Sequence, residues 1–258
     1  MRASGSPTSE PVDDLGTPFA GSAPRRVVSL VPSLTEAIAA TDAALLVGAT
    51  DWCTHPAGLD VPRVGGTKWP DVARVLALEP DLVVANAEEN RPEDVAALRD
   101  AGLAVWVTAP ATVAQALESL GRLCAVLGDP DPGWLGQARA AWVSPPALPA
   151  VRGVVPIWRR PWMVLGRDTF AGDVLARLGV VNVFAGSTER YPKLAPGDLG
   201  GIEADLVVFP DEPYALTPDD GPEAWPRARP VFVSGRHLTW YGPSLAEAPA
   251  VLTRQLGG

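Results

Sequence analysis

At 258 residues, 47% hydrophobic and 20% charged, the chain has apolar content for one large or two modest cores, which excludes a disordered polymer. A formal net charge of −9 argues against a nucleic-acid groove, which needs a basic surface. No apolar run approaches the roughly 20 residues of a bilayer span, and the two cysteines, Cys53 and Cys124, are too few for a disulfide framework.

Residues 1–24 are polar and rich in Ser, Pro and Gly. They read as a flexible lead with room for an edge strand over 12–19. They hold neither the apolar segment of a secretory signal nor a cysteine for a lipid anchor. A cytoplasmic location is therefore expected, or an extracytoplasmic one if the start is misassigned. The β-branched run from Arg26 to Val31 predicts a buried strand. Ser33 and Glu36 have the spacing of a capping box opening a helix. "ALLVGAT" (44–50) predicts a second strand. "PDVARVLALEPDLVVAN" (70–86) predicts a short helix, a Pro break and a strand. Asn90, Pro92 and Gly102 bound another helix as cap, first turn and stop. A strand follows at "AVWVTA" (104–109). Val113, Ala116, Leu117, Leu120, Leu123 and Leu127 line one face of an amphipathic helix, which takes Cys124 into its core side.

The alternation of strand and helix predicts a mostly parallel sheet covered on both faces over 25–128. It pauses at 129–150, where a helix near Pro132–Trp142 sits among Pro/Gly breaks and reads as a bridge and linker. It resumes over 151–258 with several strands, a helix at "DTFAGDVLARLG" (168–179) and a final helix at "SLAEAPAVLTRQL" (244–256). "LEPDLVVAN" (78–86) echoes "IEADLVVFP" (202–210), as two similar lobes would. The expected fold class is thus α/β, with two three-layer, mostly parallel-sheet lobes bridged by a helix and a ligand cleft between the lobes.

Ligands of open parallel sheets meet the loops at the carboxyl ends of the strands. Those loops are "VPSLT" (31–35), "DWCTHP" (51–56), "NAEENRP" (86–92), "WRRPWM" (158–163), "FPDEPY" (209–214) and "SGRHLTWYG" (234–242). The chain has nine Trp against three Tyr and five Phe. Trp52, Trp158, Trp162 and Trp240 fall in these loops and Trp69 in a neighbouring one, so they are candidates to bind a flat or bulky ligand by stacking. Each could equally plug the rim of its own core.

Cys53 and His55 stand two apart. A metal site needs three or four ligands, for which His237, Glu88 or Glu89 are available, but no zinc-ligand spacing is present. A thiol–imidazole dyad lacks a visible oxyanion loop. The remaining reading is a cleft wall whose ligand brings its own metal. Glu88 and Glu89 either face that cleft or favour the following helix N-terminus by charge. Arg159 and Arg236, with Arg160 and Arg167 beside them, are candidates to pair ligand carboxylates.

"RRVVSLVPSLTEAIAATDAALLVGATDWCTHP", "VGGTKWPDVARVLALEPDLVVANAEENRPED", "PIWRRPWMVLGRDTFAGDVLARLGVVNVFA" and "LTWYGPSLAEA", in this order, resemble the helical-backbone metal receptor superfamily over about residues 12–258. These are substrate-binding proteins for cobalamin, haem and iron-siderophores. The resemblance implies a non-catalytic binding protein of the ABC-transporter type, monomeric, with no intrinsic cofactor and a corrinoid, haem or ferric siderophore as ligand. It implies that Trp52, Trp69, Glu88, Glu89, Trp158, Arg159, Trp162, Arg236 and Trp240 line the site, with Cys53, His55 and His237 as possible metal ligands. Transporter-coupled members carry a docking Glu on each lobe; the matching positions here are Ala73 and Gly197, which argues against an ABC permease as partner. The alternatives are an interaction module of the same fold, or a Cys53-dependent hydrolase.

Overall fold

The structure, a computed structural model, describes residues 10–195 and 197–258; residues 1–9 of the expected lead lie outside the described residues. By its contacts the chain forms two compact units. One comprises the described residues up to Ala109 with Glu118–Leu135, the other Pro110–Leu117 with Gly136–Gly258.

The first unit is built from β1 (Val27–Ser29), α1 (Pro32–Asp42), β2 (Leu46–Ala49), α2 (Val72–Ala77), β3 (Leu82–Asn86), α3 (Pro92–Asp100), β4 (Val105–Thr108) and the later part of α4 (Val113–Leu127). Its four strands are parallel, in the order β2-β1-β3-β4. Val28, Val83, Ala85, Val105 and Val107 share one core cluster with Val75 of α2 and Val95 and Leu98 of α3. All five residues of β3 are buried, as a strand covered on both faces requires.

Helix α1 does not start with the expected capping box. Its N-cap is Val31 in an extended conformation, without a side-chain cap, and Pro32 takes the first helical turn. Proline is preorganised for that position and lacks the N–H a cap would satisfy. Ser33 and Glu36 are both buried instead, and Thr35 Oγ1 donates to the Val31 carbonyl at 2.9 Å.

Residues 12–19 form a closed loop rather than an edge strand. A single antiparallel bridge joins Val12 to Pro18. The cause is the pair Asp13 and Asp14. The Asp13 carboxylate accepts from the N–H groups of Leu15 (2.9 Å), Thr17 (2.7 Å) and Val107 (3.1 Å). Asp14 donates its own N–H to Val107 O at 3.1 Å and accepts from Ala109 N (2.7 Å), Ser119 Oγ (2.8 Å) and the Arg122 guanidinium. The loop thus occupies backbone groups at the outer strand β4, which would otherwise be an unpaired edge.

In the second unit, α5 (Gly133–Ala141) leads to β5 (Val151–Val154), a hairpin of β6 (Pro156–Trp158) and β7 (Trp162–Val164), α6 (Phe170–Arg177), β8 (Val180–Asn182), β9 (Lys193–Leu194), β10 (Leu206–Pro210), β11 (Arg229–Val233), α7 (Gly235–Thr239) and α8 (Ala248–Gly257). Its main sheet is parallel, in the order β11-β10-β5-β8. A small antiparallel sheet, β6-β7-β9, stands beside it.

The echoed Asp-Leu-Val-Val segments are β3 and β10, each an inner strand of its sheet with five buried residues. The aspartates before them work alike. Asp81 donates its N–H to Arg26 O (2.8 Å), and its carboxylate accepts from Arg26 N (3.0 Å). Asp205 does the same with Arg152 O (2.9 Å) and Arg152 N (3.0 Å). In both units the acid pins the entry of the neighbouring parallel strand.

Candidate functional site

The loop after β2 folds around Arg63. Its guanidinium donates to the carbonyls of Thr50, Cys53 and Leu59, each at 3.0 Å. Three backbone acceptors gathered on one planar fork give the loop a fixed shape. Cys53 points inward and is 1% exposed; its Sγ lies 3.0 Å from Thr35 Oγ1 and 3.1 Å from Thr50 Oγ1. Trp52, its neighbour, is 67% exposed.

The loop after β3 is held by two buried amides. Asn86 Nδ2 donates to Thr108 O (3.0 Å), and Asn86 Oδ1 accepts from the N–H groups of Glu88 (2.8 Å) and Glu89 (3.0 Å). Asn90 Oδ1 accepts from Asn86 N (2.9 Å), while its Nδ2 donates to Thr67 O (2.8 Å). Asn90 was expected to cap α3; that position falls to Arg91, because the Asn90 side chain is spent on tying two loops together. Arg91 instead clamps Asp94 in bidentate fashion, at 2.8 Å for both contacts, and lies 5.9 Å from the ring centre of Trp69. Trp69 is 70% exposed.

Glu88 is half-buried and Glu89 exposed. Protein mass around the Glu89 carboxyl nevertheless raises its pKa by desolvation, with Lys68 pulling it down and Glu88 pushing it up. Lys68 Nζ donates to the Glu88 carbonyl. Both acids therefore sit on a backbone positioned by Asn86.

In the second unit the β6–β7 hairpin separates the expected aromatics. Trp158 is 43% exposed and meets Tyr214 edge-on, with ring centres 5.4 Å apart at 73°. Trp162 is 8% exposed and packs edge-on against Trp225 at 4.7 Å, inside the core cluster that also holds Phe209 and Val207. Trp240 is buried as well. The expectation that Trp162 and Trp240 line an open site is corrected: strand alternation turns Trp162 into the core while Trp158 faces outward.

Arg159 is likewise committed within the protein. It pairs with Asp220 and with Glu223 at 2.7 Å, and stacks over Trp162 with its guanidinium carbon 5.1 Å from the ring centre. Partial burial works against the Glu223 carboxylate. The N–H groups of Gly221 and Glu223 together with Arg159 outweigh it and hold the pKa below the ordinary range. Arg236 reaches Glu247 at 3.3 Å. A ligand carboxylate would have to displace protein acids from either arginine.

The three candidate metal ligands do not form a centre. Cys53 is enclosed by two threonine hydroxyls, His55 has Thr54 Oγ1 3.2 Å from its Nδ1, and His237 sits between Ser234 Oγ at 2.8 Å and Glu247 Oε1 at 3.0 Å. Among the described residues no group of three or more His, Cys, Asp or Glu could hold a metal ion. The burial of Cys53 also corrects the idea of a thiol nucleophile presented to a substrate. Sequence reasoning passed over Tyr214, Asp220 and Asn86. Tyr214 closes the quoted "FPDEPY" loop and Asn86 opens the quoted "NAEENRP" loop, so both lay within reach of sequence; Asp220 is marked only by its pairing with Arg159, 61 residues away.

Two pockets of about 160 and 440 Å³ lie elsewhere. The smaller is lined by Phe19, Arg99 and Trp106 among others, the larger by Thr112, Arg167, Asp173 and Asn182 among others. Of the candidate residues only Arg167, at the larger pocket, lines either of them.

No family model matches the chain. A vitamin B12-binding protein of Vibrio cholerae is 26% identical over 196 residues, covering 72% of this chain and 68% of the relative. Among solved structures, the periplasmic vitamin B12-binding protein BtuF of Vibrio cholerae superposes with a TM-score of 0.75 at 20% identity, covering 92% of this chain and 98% of that one. The periplasmic heme-binding protein RhuT of Roseiflexus gives 0.75 at 23%, with 91% and 98% covered. These likenesses bear out the two-lobed α/β fold and match the helical-backbone metal receptor superfamily that the sequence resembles. They overturn the expected cytoplasmic location: the matched structures are periplasmic proteins, which points to an extracytoplasmic one.

Proposed function

We propose that this chain, matched to the helical-backbone metal receptor superfamily, is a non-catalytic solute-binding protein whose ligand is a compact metal chelate of the corrinoid, haem or ferric-siderophore kind. The observation that carries the reading is the sorting of the tryptophans. Of nine, three are exposed: Trp52, Trp69 and Trp158. Each sits on a loop or hairpin braced by buried hydrogen bonds or ion pairs rather than by its own burial. An indole held out to solvent on a rigid support offers a large flat face at little ordering cost. The relatives reported above, named as binding proteins for vitamin B12 or heme, support the same kind of solute.

In this reading the metal belongs to the ligand, so the protein supplies area and shape. Cys53 and Arg63 shape the loop under Trp52. Asn86 and Asn90 shape the one that carries Glu88 and Glu89. An ABC permease is the partner that such a role implies. The first-unit docking position, Ala73, is exposed on α2, and its acidic neighbour Asp71 caps that helix and pairs with Arg74 at 3.1 Å. Docking would therefore use other groups than a free acid at 71.

The test is a tryptophan-quenching titration with cyanocobalamin, hemin and a ferric siderophore. Saturable quenching by one of them is expected. Trp52→Ala and Trp158→Ala should each weaken it by about tenfold, the scale of one well-buried aromatic contact. No saturable signal with any of the three would remove the chelate reading.

A further inference from the structure

Around the β6–β7 hairpin a continuous chain of contacts runs from the core to the surface. Trp162 is anchored against Trp225 in the interior. Arg159 sits over the Trp162 ring and extends to Asp220 and Glu223. Asp220 also accepts from Tyr214 Oη, at 3.3 Å, and Tyr214 meets Trp158 edge-on. The Asp220 end is set by its own backbone. Thr217 and Asp220 exchange two hydrogen bonds, at 3.2 and 3.0 Å. Gly221 follows with φ +138, where a Cβ would lie 3.1 Å from Leu216 Cδ2 and from the Phe209 ring. That position suits glycine alone, so the turn delivers the Asp220 carboxylate to a fixed point.

We propose that Tyr214 is a second ligand-contacting ring beside Trp158, and that Asp220 and Arg159 are positioning residues that set the angle between the two. The inference rests on the chelate-binding reading and sharpens it. Rings at 73° form a corner, not a platform. A flat conjugated face can lie on Trp158 while a rim or out-of-plane group of the same ligand meets Tyr214. The ligand class is therefore a planar chelate with a substituent standing off its plane. A wholly flat ligand would use Trp158 alone. Arg159 belongs to the protein's scaffold, since its guanidinium is held by two acids and an indole.

The experiment compares wild type, Tyr214→Phe, Tyr214→Ala and Asp220→Asn, with Trp158→Ala as the shared background. Cyanocobalamin is the probe with groups off the ring plane, and hemin the flat one. In wild type, Tyr214→Ala is expected to weaken cyanocobalamin about tenfold and hemin less than threefold. Asp220→Asn should weaken cyanocobalamin three- to tenfold. In the Trp158→Ala background Asp220→Asn should add little to the loss, because a residue that sets the angle between two rings has nothing to set once one is gone, whereas Tyr214→Ala still removes its own contact. An Asp220→Asn loss equal with and without Trp158, or a Tyr214→Ala loss that is absent or the same for both probes, would overturn the inference. The near-ultraviolet circular dichroism of the free protein gives a second readout. Asp220→Asn and Tyr214→Phe should both diminish the band that Trp158→Ala removes, with the thermal midpoint held within a few degrees. If wild type takes neither probe, the chelate reading fails by itself. The positioning role then stands or falls on that band, and its full retention in Asp220→Asn overturns it.

Discussion

The loops after β2 and β3 and the β6–β7 hairpin present tryptophans by different means. In the first unit, neutral amides and one guanidinium fill backbone hydrogen bonds, and Trp52 and Trp69 project from the result. In the second, a two-strand hairpin too small to be stable alone is fastened by an ion-pair cluster and by Trp162 driven into the core. The difference teaches that a tryptophan's role follows from what stands behind it. Where polar side chains already complete the backbone, the indole is spare and faces solvent. Where the backbone is thinly supported, one indole is consumed as an anchor, and the other, Trp158 on the paired strand, stays exposed.

Substitutions can break this contrast. The largest effect is expected from Trp162→Ala, which should cost about 3–5 kcal/mol of unfolding free energy as a buried aromatic truncated in the core, read by urea denaturation. A loss under about 1 kcal/mol would show that Trp162 is no anchor. Asn86→Ala comes next. It removes the acceptor of the part-buried N–H groups of Glu88 and Glu89 and should cost about 1–3 kcal/mol, with faster amide exchange confined to 86–91. Smallest is Glu247. The hydrogen bond from His237, aided by the charges of His237 and Arg236 and opposed by partial burial, holds its carboxyl below the ordinary glutamate range. A depressed acid adds stability above its unfolded value and loses it as pH falls through the folded one. Glu247→Gln should therefore lower the thermal midpoint near neutral pH by less than about 4 °C, as an exposed pair allows, and the difference should vanish in acid.

Much of the fold could be read from residue order. The strands at 27–29, 82–86 and 105–108 and the helix at 113–127 follow from β-branched runs and helical spacing. The repeated Asp-Leu-Val-Val marked inner strands in both units. The misreadings came from side chains claimed by other partners. Pro32 displaced Ser33 from the cap, and Asn90 was drawn away from α3 by Asn86 and Thr67. Asp13 and Asp14 make residues 12–19 of the expected lead a docked loop through partners near 107 and 119, too far along the chain to be visible as a pattern.

The candidate site was legible only by class. Loops at strand ends and an excess of tryptophan named five indoles, of which Trp52, Trp69 and Trp158 are exposed while Trp162 and Trp240 are buried. Arg159 and Arg236 looked free because their acids, Asp220, Glu223 and Glu247, lie 11 to 64 residues away.

What the order of residues determined alone is the alternation of strand and helix and the chemistry available in each loop, since periodicity and turn residues act over a few positions. Tertiary structure decided which indole faces water, which arginine is already paired and whether a cysteine is reachable. Those outcomes depend on burial and on partners brought together from distant positions, and free energies of that kind arise only once the chain has closed on itself.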